Sequence, residues 1–117
     1  MKKAFTLPTC KTCQRIFDDL QPEQLGCEVV DIKAEGISAA DLDAMKAHAG
    51  SYEALFSRRA MKFRSMGLAD KTLTEQDYRK LILEEYTFLK RPVFLTDAGV
   101  TAGSAKAQVA AARDLLS

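Results

Sequence analysis

The spacing of apolar positions along this chain alternates between the short period of a strand and the longer period of a helix. Phe5 and Leu7 predict a strand over residues 3–7 that ends at Pro8, which has no N–H to give to a ladder. From Lys11 onward, Cys13, Ile16, Phe17 and Leu20 fall on one helical face, and Pro22 and Gly26 close that segment. Cys27, Val29, Val30 and Ile32 then form a largely β-branched run of strand length. Strand, helix, strand in that order predicts a right-handed parallel unit.

The middle of the chain is helical in texture. Ser38 and Asp41 make a cap-like start, Leu42, Met45 and Ala49 follow at helical spacing, and Gly50 is a stop, which predicts a helix over residues 38–49. Ser51 is placed to cap a further helical run carrying Tyr52, Leu55, Phe56 and Phe63. Thr74 opens a helix with Tyr78, Leu81, Ile82 and Tyr86 on one face. Strand character returns in Pro92-Val93-Phe94-Leu95-Thr96, then Asp97-Ala98-Gly99 supplies turn residues, and Val100-Thr101-Ala102 pairs back as a hairpin. Ser104 is placed to cap a last helix with Ala107, Val109, Ala110, Leu115 and Leu116. The order is βαβ, a helical insertion, ββα. With no repeat or linker, residues 1–117 are expected to form a single α/β domain with an inserted, mostly helical lobe over about residues 34–89.

Composition narrows the function classes. A chain of 117 residues that is 47% hydrophobic can bury one core without disulfide staples. Its formal net charge of +1 supplies no global field toward nucleic acid or an anionic membrane, so no direct nucleic-acid contact is expected. Apolar runs such as Val93-Phe94-Leu95 are far too short to span a bilayer, and no targeting segment is readable before Pro8. The absence of a dinucleotide fingerprint or a glycine-rich phosphate loop argues against a bound nucleotide cofactor. Three cysteines without a secretion signal point to the cytoplasm and to transient, functional pairing.

The chemistry concentrates in Leu7-Pro8-Thr9-Cys10-Lys11-Thr12-Cys13. A thiol attacks as its thiolate, and a cysteine at a helix N-terminus has that anion favoured by unpaired N–H groups and the positive end of the helix dipole. Cys10 falls at such a junction, with Lys11 beside it. Cys13 lies one turn further in, on the apolar face, within reach of a mixed disulfide formed at Cys10. Two other readings stand beside this one: half of a structural zinc site, and a buried inert pair. A zinc site would need Cys27 and the remote His48 as its further ligands, so no metal is expected. Cys27 is expected in the core and His48 on the surface.

Three places carry a likeness to a known family. Pro8-Thr9-Cys10 resembles the proline-x-cysteine loop of the arsenate reductase (ArsC) and Spx family. Ser57-Arg58-Arg59 with Phe63 resembles that family's arginine segment, and Lys90-Arg91-Pro92-Val93 its arginine-proline strand entry. The resemblance spans nearly the whole chain and implies a thioredoxin-like fold with a central mixed four-stranded sheet. It implies a thiol-based oxidoreductase that reduces an oxyanion or a disulfide, with Cys10 as nucleophile and Cys13 as resolving thiol. Arg59, Arg91, Thr12 and Pro92 would bind substrate, and Pro92 would be cis. Glutathione or a thioredoxin or glutaredoxin would be the electron donor, with no bound cofactor and a monomeric chain. The alternative is an Spx-like redox-sensing regulator that binds RNA polymerase.

This chain departs from the arsenate-reducing pattern in two ways. Residues 99–104 contain no arginine where those members have a third. Cys13 supplies an internal partner thiol, which is closer to Spx. Elsewhere, Tyr52, Phe56, Phe63, Tyr78 and Tyr86 are expected as core between the inserted helices and the sheet, and Met61 and Met66 on the inner side of the lobe.

Overall fold

Alternation around Phe5 produces the strand β1 (Lys2–Thr6), and the apolar stripe after Lys11 produces the helix α1 (Lys11–Leu20), followed by β2 (Glu28–Asp31). The computed structural model describes every residue, Met1–Ser117, and the chain divides into two compact units. One comprises Met1–Gly36 and Arg91–Ser117, the other Ile37–Lys90.

In the first unit β1 and β2 pair in parallel, with Phe5 opposite Val30. The hairpin β3 (Val93–Thr96) and β4 (Val100–Ala102) joins β1 antiparallel, giving a four-stranded mixed sheet in the order β2-β1-β3-β4. The last helix is α5 (Lys106–Leu116). Ile16 and Leu20 of α1 and Ala112 and Leu116 of α5 pack with Ala4, Cys27 and Phe94 in one buried cluster, where the Phe17 and Phe94 rings lie 5.7 Å apart. Arg113 donates to Asp19 at 2.5 Å and ties α5 to α1. Cys27 is buried as expected, just before β2.

Two helix ends differ from expectation. Gln21, not Pro22 or Gly26, closes α1: it adopts a left-handed conformation (φ 51°) and its N–H donates to the Phe17 carbonyl at 2.8 Å. At the start of α5 the cap residue is Ala105, and Ser104 makes no capping bond. The turn is held instead by Gln108, whose side-chain oxygen accepts from the Ala102 N–H at 3.0 Å.

In the second unit α2 (Ala39–Ala49) begins at Ser38, whose hydroxyl accepts from the Asp41 N–H at 3.0 Å. It ends at Gly50, where φ is 94°, a conformation costly for residues with a Cβ. The helix expected from Ser51 through Phe63 does not form as one piece. In a single 3₁₀ turn, Glu53–Leu55, the Ala54 N–H donates to the Ser51 hydroxyl at 3.1 Å, and the chain then extends at Phe56. Phe56 pairs with Leu89, with Lys90 N–H donating to Leu55 O at 2.9 Å and Ser57 N–H to Phe88 O at 2.6 Å. This long-range pairing outcompetes continuation of the helix. What remains is a short helix, α3 (Met61–Ser65), and another 3₁₀ turn, Leu68–Asp70.

Because α3 buries none of its residues, Met61 and Met66 are exposed, at 88% and 46%, and not turned inward as expected. The helix α4 (Glu75–Glu84) opens with a reciprocal capping box between Thr74 and Asp77, and the 3₁₀ turn Tyr86–Phe88 follows. Phe56 stacks on Phe88 at 4.9 Å, with Tyr78 at 4.9 Å and Phe63 at 6.0 Å, so an aromatic cluster forms within this unit. Phe63 and Tyr86 are only half-buried. Asp43 fastens α2 to its neighbours: it accepts from the Tyr52 hydroxyl at 2.6 Å and from Arg79 at 2.9 and 3.2 Å. No helix in the chain is long and apolar enough to cross a membrane.

Candidate functional site

Where β1 ends, Pro8 and Thr9 form a turn and Cys10 becomes the cap residue of α1. The Cys10 N–H donates to Leu7 O at 2.9 Å, and Cys10 O accepts from Gln14 N–H at 3.0 Å, the first bond of the helix. The donors of the first turn, which lack partners within any helix, are thereby placed around the Cys10 sulfur.

Cys10 is half-buried, Cys13 is fully buried, and all three cysteines are free thiols. Burial pushes the Cys10 thiol up. It is outweighed by the Cys13 backbone N–H, the Cys13 thiol, the Arg91 guanidinium and the Thr12 backbone N–H, which together hold Cys10 below the ordinary cysteine value. Cys13 moves the other way. Burial and the hydrogen bond to Cys10 push it up to about 11, against weaker opposition from the Leu7 backbone and the Thr6 hydroxyl. One sulfur of the pair is thus prepared to be an anion and the other to remain protonated beside it.

Arg91 is half-buried and precedes Pro92, and the Arg91–Pro92 bond is cis, as the resemblance implies. The Pro92 carbonyl accepts from Gly103 N–H at 3.0 Å, which pins the entry of β3 against the end of β4. The first unit therefore contains Cys10, Thr12, Cys13, Arg91 and Pro92. Arg59 belongs to the second unit, exposed in the turn ahead of α3. Two of its basic neighbours there are engaged: Arg58 pairs with Glu53 at 2.7 Å and meets the Tyr78 hydroxyl at 3.0 Å, and Lys62 pairs with Glu85. His48 is exposed, and no three His, Cys, Asp or Glu side chains converge as metal ligands.

Sequence reasoning missed Gln14. Its side-chain amide donates to the Pro8 carbonyl at 2.5 Å across the cysteine loop. Its polar side chain on an exposed helix face carried no signal, because only the closed turn brings Pro8 O within reach. Gln14 also lines an open groove of about 340 Å³ with Thr6, Pro8, Phe17, Asp18 and Val29.

A half-exposed low-pKa thiol, a buried high-pKa thiol beside it and a guanidinium acting on the first are the components of nucleophilic sulfur chemistry. The model of the ArsC family matches residues 5–112. Among solved structures, the YFFB protein is similar at 25% identity and a TM-score of 0.79, over 96% of this chain and 98% of its own. An arsenate reductase from Vibrio cholerae shares 15% identity with a TM-score of 0.78, over 94% of this chain and 95% of its own. An arsenate reductase related protein from Brucella melitensis shares 24% identity with a TM-score of 0.68, over 94% and 92%. These likenesses establish the fold as thioredoxin-like α/β. No curated protein sequence matches the chain.

Proposed function

Because this chain belongs to the ArsC family, we propose that it is a cytoplasmic, thiol-dependent reductase of the arsenate reductase type, with Cys10 as nucleophile and Cys13 as resolving thiol. The observation that carries the reading is the opposed displacement of the two thiols, Cys10 downward and Cys13 up to about 11. A nucleophile must be ionised before it reacts, whereas a resolving thiol should stay protonated until a mixed disulfide exists.

With a disulfide substrate, the Cys10 thiolate attacks one sulfur, the substrate S–S bond breaks, and the other half leaves as a thiolate. Cys13 then gives up its proton to that leaving thiolate or to water and attacks the Cys10 sulfur. This forms a Cys10–Cys13 disulfide and releases the second half of the substrate. Two electrons pass from the protein to the substrate, and glutathione or a thioredoxin or glutaredoxin returns them. With arsenate, Cys10 displaces an oxygen as water. Attack of Cys13 on the Cys10 sulfur then leaves the electron pair on arsenic, which departs as arsenite.

Arg91 neutralises the oxyanion, while Thr12 and Pro92 border the bound substrate. The protein works as a monomer on this reading. A second reading, an Spx-like regulator of RNA polymerase, is favoured by the internal partner Cys13 and by the absence of an arginine from residues 99–104.

The deciding assay follows glutathione-linked turnover of arsenate and of a low-molecular-weight disulfide, with glutaredoxin supplied. The expected result is turnover of at least one substrate that falls at least a hundredfold in Cys10→Ser, in line with loss of a covalent nucleophile. Absence of turnover on both substrates, together with polymerase binding that depends on the oxidation state of Cys10 and Cys13, would replace the enzyme by the regulator.

A further inference from the structure

Gln14 donates to the cysteine loop through both its backbone and its side chain. Its N–H reaches Cys10 O at 3.0 Å and its amide nitrogen reaches Pro8 O at 2.5 Å, while Cys10 N–H closes back on Leu7 O at 2.9 Å. Three carbonyls of the loop, those of Leu7, Pro8 and Cys10, are therefore satisfied from within the segment 7–14. Removing the side-chain bond would leave Pro8 O to water and free the turn at Pro8 and Thr9 to swing away from the helix.

We propose that Gln14 is a positioning residue for the nucleophile, clamping the Pro8 carbonyl so that the Cys10 sulfur is held over the first turn of α1. The proposal rests on the assignment of Cys10 as nucleophile and extends it to a residue that acts through the loop. The geometry explains why the clamp matters. The N–H groups of Thr12 and Cys13 favour the thiolate only while the loop keeps Cys10 in front of them. The groups acting on that sulfur are these two N–H groups, the Cys13 thiol and Arg91, and Gln14 changes none of their charges. Gln14 is exposed, so its replacement removes no core packing.

The test is the pH dependence of alkylation at Cys10, located by peptide mass spectrometry, in the full chain and in Gln14→Met. Methionine matches glutamine in length and helix propensity but has no donor. The midpoint for Cys10 is expected to rise by about half to one unit, a fall of roughly three- to tenfold in alkylation rate at neutral pH, because each unit is a factor of ten in thiolate fraction. Gln14→Asn, which keeps the amide but is one methylene too short, should behave like methionine. The thermal midpoint and the protection of Cys27 should be unchanged in both variants, which separates positioning from general loosening. A parent midpoint well below 8.5 that stays put in Gln14→Met would overturn the role of Gln14 and leave Cys10 as nucleophile. A parent midpoint at the free-thiol value of about 8.5 would remove the assignment of Cys10 itself, and this inference with it.

Discussion

Cys13 lies one helical turn inside Cys10 and shares a hydrogen bond with it, and that bond moves the two thiols in opposite directions. The pair behaves as a single proton-sharing unit: the proton that stabilises the Cys10 anion is the one that Cys13 is reluctant to lose. Burial reinforces the division, since Cys13 is fully enclosed while Cys10 reaches solvent.

At neutral pH a limiting amount of iodoacetamide should therefore modify Cys10 first, with Cys13 unreactive until the pH approaches its value of about 11. Peptide mapping after brief exposure checks the order. Replacing Cys13 by alanine should raise the Cys10 midpoint, because the thiol donor is gone, and should trap substrate as a mixed disulfide at Cys10. Equal labelling of the two sulfurs in the parent protein would contradict this division.

Arg91 is the charged side chain among the groups that hold Cys10 low. Arg91→Met should raise the Cys10 midpoint by roughly half a unit or more, and Arg91→Lys should recover most of that shift while restoring less oxyanion binding. Alkylation profiles measure the first effect, and competition by arsenate against alkylation measures the second. A thiol midpoint indifferent to both substitutions would show that the Cys13 thiol and the first-turn N–H groups suffice without Arg91.

Asp43 is held down to about 2 by Arg79, then by the Tyr52 hydroxyl. Its folded value lies below the unfolded carboxylate value of about 3.9, so the stability it contributes is present above that value and is lost as pH falls toward 2. Thermal melts between pH 5 and 2 should show this loss, and Asp43→Asn should melt lower at pH 6 with a shallower slope on acidification. An unchanged slope in Asp43→Asn would assign the acid sensitivity to other carboxylates.

The Thr101 hydroxyl on β4 is buried and has no hydrogen-bond partner. Valine has nearly the same shape, suits a strand and carries no polar atom to desolvate. Thr101→Val is therefore expected to stabilise the fold by about 1 kcal/mol, the low end of the cost of an unsatisfied buried hydroxyl. Urea unfolding gives the number, and a destabilised variant would mean that the hydroxyl finds a partner in solution.

The periodicity of the sequence was enough to determine the order of strands and helices, the caps at Ser38 and Thr74, the hairpin around Asp97 and Gly99, and the placement of Cys10 where a strand hands over to a helix. All of these depend on contacts within a few residues, which a local pattern records. Tertiary structure decided what local pattern cannot carry. The pairing of Phe56 with Leu89 broke a run that reads as helix, and α3, which buries none of its residues, left Met61 and Met66 in solvent. Closure of the turn at Pro8 gave Gln14 its partner, and the sheet brought Arg91 to act on a sulfur 81 positions away in the chain. For Phe56 and for Cys10 the deciding energy came from a partner distant in sequence, and the spacing of apolar residues does not say which distant partner will arrive.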